Sequence, residues 1–199
     1  MEKFRAELEK YIDGIYEGDK KVLVHGEGVI GARVMLIGEA PGAQEAQQGR
    51  PFVGKAGKNL DEFLAGAGLD RRELFVSNTV KFRPSKISAA GRTVNRPPTQ
   101  EEVEIFLPWL KKEIALVGPE YVVTLGNVPL KALLGKSATV GQAHGQLFEI
   151  EGVKLYAMYH PASVIYNPAL KETYRSDLIR FAERLKAEKL VKNQKFTKD

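Results

Sequence analysis

Three side chains with different hydrogen-bonding chemistry lie at or just beyond the ends of apolar runs: Glu39, Asn78 and His160. Glu39 is an anionic acceptor, the amide of Asn78 both donates and accepts, and the imidazole of His160 titrates near neutral pH. Open α/β sheets bind ligands at the carboxyl ends of their strands, so the sequence predicts that the three side chains converge on one cleft. The plain alternatives are a surface carboxylate, a strand-edge asparagine and a structural histidine.

Glu39 belongs to a turn that directly follows a predicted strand. The apolar run at residues 34–37 leads into Gly38-Glu39-Ala40-Pro41-Gly42. Pro41 cannot continue a strand, and glycines allow backbone geometries that other residues rarely adopt. Such a turn presents backbone N–H groups beside one long side chain, that of Glu39. An ordinary strand-to-helix turn has the same pattern.

Strand-like runs alternate with helical patterns along the chain. Strands are predicted at residues 34–37, 74–80, 121–126 and 153–158, the last as the second arm of a hairpin from residue 146, and helices at residues 4–16, 59–67, 100–117, 127–134 and 171–190. Thr99 and Glu102 form a capping box for the third helix, which Pro108 is expected to kink or split. Residues 44–57 and the basic residues 81–98 are expected as loops. The alternation predicts a single α/β domain over residues 1–199, a three-layer α/β/α sandwich around a largely parallel, four-stranded central sheet.

The composition limits the function classes. None of the 199 residues is cysteine, which excludes disulfides, thiolate metal sites and a cysteine nucleophile. The net charge of +5 favours a polyanionic partner, although part of the excess lies in a basic, flexible tail at about residues 187–199. No run is long enough for a transmembrane helix and the N-terminus lacks a signal-peptide core, so we expect a cytoplasmic protein without a membrane partner.

Four motifs carry a resemblance to a known family: Gly38-Glu39-Ala40-Pro41-Gly42, Gly49-Arg50-Pro51-Phe52-Val53-Gly54 with Ala56-Gly57, Asn78-Thr79-Val80-Lys81-Phe82-Arg83-Pro84, and His160-Pro161-Ala162-Ser163. In this order, from about residue 26 to residue 184, they resemble the motifs of the family 4 uracil-DNA glycosylases. The resemblance implies a monofunctional repair enzyme that flips deoxyuridine out of DNA, hydrolyses its N-glycosidic bond, releases uracil and leaves an abasic site. It implies single- or double-stranded uracil-containing DNA as the partner, and we expect a monomer.

The resemblance also implies which residues bind uracil. Phe52 would stack on the flipped base, unless it only packs its loop onto the core. Asn78 matches the N3–H and O4 of uracil, whereas cytosine presents the reversed pattern of donor and acceptor. The backbone from Ala40 to Gly42, or the side chain of Glu45, would block the methyl group of thymine.

Catalysis is expected to depend on His160 and a carboxylate, without a metal. In the family pattern His160 donates a hydrogen bond to O2 of the departing uracil, which a neutral imidazole does best. The better-known uracil glycosylases have an aspartate where this chain has Ala40, so Glu39 or Glu45 must orient the water. Glu39 is favoured, and both are expected to matter.

DNA contacts are expected from the basic loop and from the segment after His160. The candidate DNA-binding residues are Arg83, Asn95, Arg96, Ser163, Ile165 and Tyr166. The basic loop would neutralise phosphates, and Asn95 is also a candidate for holding the water or the substrate. Ser163 would bind a phosphate beside the lesion. Ile165 and Tyr166 would fill the gap left by the flipped base, unless they begin a buried helix.

Typical family 4 members hold a [4Fe-4S] cluster on four cysteines, and this chain has no cysteine. The flanking motifs align Phe82 and Phe106 with two of those positions, and Tyr11 and Gly14 fall near the other two. We therefore expect no cofactor, and an aromatic cluster of Phe82, Phe106 and Tyr11 in place of the metal.

Other functions remain open at this point. A catalytically weak or inactive uracil-DNA-binding module of the same fold would keep the pocket and the basic loops, whereas only an enzyme needs His160 together with a water-orienting carboxylate. A nucleosidase would cleave free deoxyuridine. A related branch traps DNA covalently through a histidine in a basic insertion, and residues 52–58 contain no histidine. His144 is expected to be a loop or surface residue.

Overall fold

The molecule is described by a computed structural model that covers the backbone of residues 1–196 and the side chains of residues 1–190. Its strands are β1 (Glu27–Gly28), β2 (Val34–Gly38), β3 (Phe75–Asn78), β4 (Ser85–Ile87), β5 (Thr93–Asn95), β6 (Tyr121–Leu125), β7 (Leu147–Ile150) and β8 (Val153–Met158). Six of them form one mixed sheet in the order β1-β3-β2-β6-β8-β7, and β4 pairs with β5 in a separate hairpin.

The inner part of the sheet is parallel, as the sequence predicts. β2 pairs with β3 on one side and β6 on the other, and β6 pairs with β8. The predicted strand number of four is wrong, because β1 and β7 extend the sheet in antiparallel orientation at its two edges. β7 is the first arm of the predicted hairpin. β1 has only two residues, too few to show an alternating pattern.

Helices cover both faces of the sheet. They are α1 (Glu2–Ile15), α2 (Ala43–Gln48), α3 (Lys55–Gly66), α4 (Gln100–Val117), α5 (Asn127–Leu134), α6 (Val140–Ala143), α7 (Ser163–Tyr166) and α8 (Leu170–Phe196), with a 3-10 turn at Arg71–Glu73. Two predicted loops are therefore partly regular, since α2 lies within residues 44–57 and the β4–β5 hairpin within residues 81–98. Helix α2 buries none of its residues, so it has no apolar periodicity that a sequence pattern could reveal.

Alternate residues of β2 pack into two separate cores. Leu36 belongs to the core formed with α3 and α8, which supply Leu60 and Phe181 among others. Met35 and its neighbours on the opposite face belong to the core formed with α4. Because successive side chains of a strand point to opposite faces, this arrangement produces three layers, helices on each side of the sheet.

Helix α4 begins as its sequence predicts. The side chain of Thr99 accepts from the backbone N–H of Glu102, while the Glu102 carboxylate accepts from the backbone N–H of Thr99. The helix then runs through Pro108 to Val117 as one element, so the predicted split does not occur. Its end is marked by Gly118 in the left-handed conformation, with φ of 63°.

An aromatic cluster ties α1 to the start of the β4–β5 region and to α4. The ring centroids of Phe82 and Phe106 lie 5.7 Å apart, as expected for an aromatic cluster at these positions. The third ring is that of Tyr16, 5.5 Å from Phe82. The predicted role of Tyr11 is wrong, because Tyr11 is 42% exposed and packs on Trp109 instead. Tyr11 lies one helical turn too early to reach Phe82.

Helix α8 extends through most of the segment expected as a basic tail. It continues to Phe196, while residues 197–199 and the side chains from residue 191 lie outside the described residues. The flexibility of the tail stays a prediction. Within residues 1–196, no helix combines the length and apolarity required to cross a bilayer.

Candidate active site

A cavity of about 460 Å³ opens at the carboxyl edge of the parallel strands. The predicted site residues that line it are Ala40, Gly42, Glu45, Phe52, Asn78, Asn95, His160, Ile165 and Tyr166. The lining does not include four other predicted residues, Glu39, Arg83, Arg96 and Ser163. Most of the predicted constellation therefore converges on one pocket, including residues more than one hundred positions apart in sequence.

The floor of the cavity is formed where β2 and β3 end side by side. Gly38 is paired with Asn78 in the sheet register. A Cβ atom on Gly38 would lie 2.4 Å from Cζ of Phe52 and 2.5 Å from Oδ1 of Asn78, so only glycine leaves room for both side chains. Within the described chain, the Asn78 side-chain amide forms no hydrogen bond, although the residue is only 3% exposed. Its donor and acceptor are therefore available to a ligand.

The loop that carries Phe52 is held in an unusual conformation. Phe52 has a φ of 54°, which non-glycine residues rarely adopt, and its ring is 5% exposed. Nη1 of Arg71 donates to the Phe52 carbonyl over 3.0 Å, and Nη2 donates to the Pro51 carbonyl over 2.8 Å. Asp61 accepts from the same guanidinium. Sequence reasoning missed Arg71, because nothing local indicates that an arginine will hold a loop some twenty residues away.

His160 projects from the end of β8 in a defined tautomer. Its Nδ1 accepts from the backbone N–H of Ala162 over 3.1 Å, so the proton of the neutral ring is on Nε2. Burial lowers the pKa of His160 to about 4, while the charge of Glu45 acts in the opposite direction. The ring lies 6.0 Å from that of Phe52 between centroids. Gly126, with φ of 94°, allows the close approach, since a Cβ there would lie 3.1 Å from Cβ of His160.

Glu45 connects the two turns that form the cavity wall. Its Oε1 accepts from the backbone N–H groups of Val53 and Gly54 over 3.1 and 2.7 Å, and its Oε2 accepts from that of Gly42 over 3.1 Å. A carboxylate oxygen has two acceptor positions. Oε2 therefore retains one for a further donor, and Glu45 lines the cavity.

Glu39 differs from Glu45 in its surroundings. Its side chain is half-buried, and burial raises the pKa of its carboxyl group. In the part of the chain that the structure describes, this carboxylate has no hydrogen-bond or ion-pair partner. Since Glu39 does not line the cavity, its expected role in orienting water stays a prediction.

The β4–β5 hairpin brings Asn95 to the cavity rim. Nε of Arg83 donates to Oδ1 of Asn95 over 2.7 Å, which leaves the amide N–H groups of Asn95 unengaged. Its Nδ2 would lie 3.3 Å from a Cβ placed on Gly42. The hairpin tip is exposed, with Ile87 at 68%. Asn95 is therefore oriented as a donor toward the Gly42 turn.

Arg96 and Lys81 of the predicted DNA-binding loop form ion pairs with acidic residues of α4. Arg96 forms a bidentate ion pair with Glu102, at 2.7 and 2.6 Å, and Glu102 is only slightly exposed. The hydrogen bonds from Arg96 hold the pKa of Glu102 below its usual value. Lys81 is completely buried, so the expectation that the phosphate-binding loop begins at Lys81 is wrong for this residue.

The segment after His160 is a short turn of helix with exposed side chains. Helix α7 spans Ser163–Tyr166, and Tyr166 is 86% exposed while Ile165 is half-buried. These residues are therefore helical, as one alternative had it, yet they are not part of a buried helix. Lys55, at the start of α3, also lines the cavity and was not singled out from the sequence, where an isolated lysine carries no signal.

His144 lies at the end of α6 and is partly buried. Its Nδ1 is 2.8 Å from Oδ2 of Asp177, a fully buried residue of α8, and its ring packs 4.9 Å from that of Tyr159. The residue is therefore attached to the core rather than free on the surface.

Together the fold and the cavity define a class: a three-layer α/β/α domain with a polar ligand pocket at the carboxyl edge of its sheet. The family model of the Uracil DNA glycosylase superfamily matches residues 25–183. The chain is 41% identical to the Type-4 uracil-DNA glycosylase of Pyrobaculum aerophilum over 170 residues, which cover 81% of this chain and 83% of that protein. It is 37% identical to the Type-4 uracil-DNA glycosylase of Archaeoglobus fulgidus over 168 residues, 80% of each chain.

A more distant relative gives the same result. The Type-4 uracil-DNA glycosylase of Thermotoga maritima is 33% identical over 147 residues, 73% of this chain and 72% of that protein. The chain therefore belongs to the uracil-DNA glycosylase superfamily. The family resemblance indicated by the four motifs is confirmed.

The residues of this chain do not fit the iron–sulfur cluster of typical family 4 members. That cluster needs thiolate ligands, and the chain contains no cysteine. Phe82 and Phe106, for which the flanking motifs predict correspondence with two of those cysteines, are packed on each other within the core. Among the described residues, no three side chains of the metal-binding types His, Cys, Asp and Glu converge on one point. No catalytic step is derived from the cluster.

Proposed function

We propose that the protein removes uracil from DNA by hydrolysing the N-glycosidic bond of deoxyuridine, which releases free uracil and leaves an abasic site. One observation carries the proposal: the Nε2–H of His160 and the free amide of Asn78 share a single cavity with the ring of Phe52. A donor, a base-reading amide and a stacking surface are what a flipped nucleobase requires. Membership in the superfamily supports the same reaction.

Recognition of the base rests on Asn78 and Phe52. The amide accepts from N3–H and donates to O4 of uracil, a pattern that cytosine reverses. The ring of Phe52 stacks on the flipped base and offsets part of the few kcal/mol that extrusion costs. The turn from Ala40 to Gly42 borders the cavity and excludes a methyl group at C5.

Cleavage moves an electron pair from the bond between C1′ and N1 onto uracil, while positive charge develops on the sugar. His160 stabilises the negative charge by donating its Nε2–H to O2 of uracil. A water molecule then adds to C1′ and releases a proton, which neutralises the departing uracil anion. We assign the orientation of this water to Oε2 of the cavity-lining Glu45, because Oε2 retains one acceptor position. Glu39 does not line the cavity and acts on the same step less directly.

The protein contacts DNA on both sides of the flipped nucleotide. Arg83 and the β4–β5 hairpin contact the phosphates on one side, and Asn95 directs its amide donors toward the substrate. On the other side Ser163 binds a phosphate, while Ile165 and Tyr166 fill the vacated space in the base stack. A contact from Arg96 to DNA requires its ion pair with Glu102 to open. Monomeric state and cytoplasmic location stay predictions.

The decisive test is strand scission. Single-stranded and U·G oligonucleotides are incubated with wild-type protein, His160→Ala or the control His144→Ala, then treated with alkali, which cleaves abasic sites. We expect wild type and the control to cut at uracil and His160→Ala to be slower by about 10²–10³-fold, the usual effect of losing one transition-state donor.

DNA binding is measured on the same samples by fluorescence anisotropy. Since His160 acts on the leaving group, His160→Ala should retain binding. Tight uracil-DNA binding without scission at any excess of wild type would favour the inactive binding module. Asn78→Asp should weaken the preference for uracil and admit cytosine, and unchanged selection in that variant contradicts the assignment of Asn78.

A further inference from the structure

A buried lysine is attached to the backbone of the residue that we assign to base recognition. Nζ of Lys81 donates to the carbonyl oxygen of Asn78 over 2.7 Å, to Oγ of Ser77 over 2.6 Å and to Oε2 of Glu113 over 2.6 Å. Ser77 donates to the same Glu113 oxygen over 2.8 Å. All four residues are at most 3% exposed. Lys81 therefore has three partners for its three N–H groups and none in solvent.

We propose that Lys81 is a positioning residue which, by fixing the peptide group of Asn78, sets the preference of the pocket for uracil over cytosine. The inference rests on the proposed function. The Asn78 side chain forms no hydrogen bond of its own in the described part of the chain, so its direction depends on the backbone that carries it and on its packing over Gly38. A tilt of that peptide moves both the donor and the acceptor that read the base edge.

The peptide group that follows Asn78 is held from two sides. Asn78 is the last residue of β3, and the chain turns immediately afterwards. The N–H and the hydroxyl of Thr79 both donate to the Gly38 carbonyl, over 2.8 and 2.9 Å, and the N–H of Val80 donates to the Glu39 carbonyl over 3.0 Å. The Thr79 N–H belongs to the same planar peptide group as the Asn78 carbonyl, so β2 holds one side of this group and Lys81 holds the other.

Stability alone is a weak reason for this network. Burying an ammonium and a carboxylate costs several kcal/mol per ion, and apolar residues of similar volume often replace such pairs without loss of stability. Glu113 neutralises the charge of Lys81. One of the three hydrogen bonds of the ammonium then goes to the Asn78 carbonyl, and such a charge-assisted bond is about twice as strong as a neutral one. A role in positioning Asn78, the residue that selects the base, explains why the protein keeps this buried ion pair.

The test measures base selection separately from stability. Oligonucleotides carry either 2′-fluoro-2′-deoxyuridine or 2′-fluoro-2′-deoxycytidine, in which the electron-withdrawing fluorine disfavours the oxocarbenium-like transition state and keeps the bond intact. The ratio of the two Kd values is the selectivity, and Asn78→Ala defines its complete loss. For the double variant Lys81→Met/Glu113→Leu, which avoids a lone buried charge, we expect the ratio to fall by about tenfold with little change in Tm.

A further variant separates positioning from stability. Arg33→Met removes ion pairs to Glu120 and Glu188 at the amino end of β2, far from the site, and should lower only Tm.

Wild-type selectivity in the double variant, or a loss of selectivity in Arg33→Met that follows its Tm, overturns the inference while the proposed function stands. A wild-type protein that binds both analogues equally overturns the proposed function, and the inference with it.

Discussion

His160 should make the protein less stable in acid, and the effect can be isolated in one variant. Burial lowers the pKa of the folded-state imidazole to about 4, from 6.5. Between these values the unfolded chain binds a proton that the folded protein does not, so the free energy of unfolding falls as the pH is lowered through this range. Above pH 6.5 the stabilisation by the neutral ring is fully present.

The magnitude follows from the two pKa values. The interval from 6.5 to about 4, at about 1.36 kcal/mol per pH unit, corresponds to ~3 kcal/mol of unfolding free energy. His160→Asn removes the titrating group and retains a side-chain acceptor near the N–H of Ala162, which Nδ1 of His160 now satisfies. His25, whose pKa burial also lowers, is present in both proteins and cancels in the comparison.

Urea unfolding of both proteins at pH 7 and pH 4 provides the measurement. Wild type should lose ~3 kcal/mol more than His160→Asn over this interval. The imidazole C–H resonances followed by NMR give the same pKa directly, with His160 assigned by its absence in the variant. Parallel pH profiles for the two proteins, or a His160 resonance that titrates near 6.5, would refute the neutral donor on which the proposed leaving-group role depends.

Three further perturbations test the pocket and the core. Gly38→Ala should lower the free energy of unfolding by about 1–3 kcal/mol and abolish binding of uracil-containing DNA, because the added methyl group overlaps the Phe52 ring and the Asn78 amide. Gly66→Ala is the control. Its methyl group meets no atom within 4 Å, so it should be neutral or stabilising. Glu45→Gln places an amide N–H₂ against backbone N–H donors and should lower both Tm and turnover. Glu39→Gln removes a half-buried carboxylate that has no partner among the described residues and should raise Tm at pH 7. A larger loss of turnover in Glu39→Gln than in Glu45→Gln would contradict the assignment. Phe106→Ala should lower the free energy of unfolding, measured in urea, by about 3–5 kcal/mol. Wild-type protein should lack absorbance near 400 nm, and stoichiometric bound iron would contradict the replacement of the cluster by aromatic side chains.

The parts of the fold that sequence predicts are those whose side chains are buried in a regular pattern. The inner strands and α4 have continuous or periodic apolar residues. Asn78 and His160 lie at or just beyond the ends of such runs, and the sequence therefore predicts their place at the carboxyl edge of the sheet. Helix α2 has no buried residue and could not be found in this way. Its position depends on hydrogen bonds that Glu45 accepts from backbone N–H groups up to nine residues away, which no local pattern encodes.

The roles of charged residues are also hard to predict, because a sequence shows the sign of each charge but not its partner in the fold. The sequence places Lys81 in the basic loop, yet it is buried against Glu113, a residue thirty-two positions away. The sequence predicts phosphate binding for Arg96, which is paired with Glu102 of the α4 capping box. Arg71 carries no signal in the sequence and fixes the loop of Phe52. In none of these cases does the sequence around the basic residue reveal its partner.

The choice between Glu39 and Glu45 shows how folding and chemistry share one group in this pocket. The Glu45 carboxylate has four acceptor positions. Three of them accept from backbone N–H groups and so hold the turns at Gly42 and Gly54 together, and the fourth is open to the cavity. A carboxylate fixed in this way needs no reorganisation to hold a water molecule, because the backbone already determines its direction. Glu39 lacks such bonds, and its burial opposes the charge that orienting water requires. The residue that the motif pattern favoured is thus the less prepared of the two, and the methyl group of Ala40 leaves Glu45 as the better-oriented anion beside the pocket.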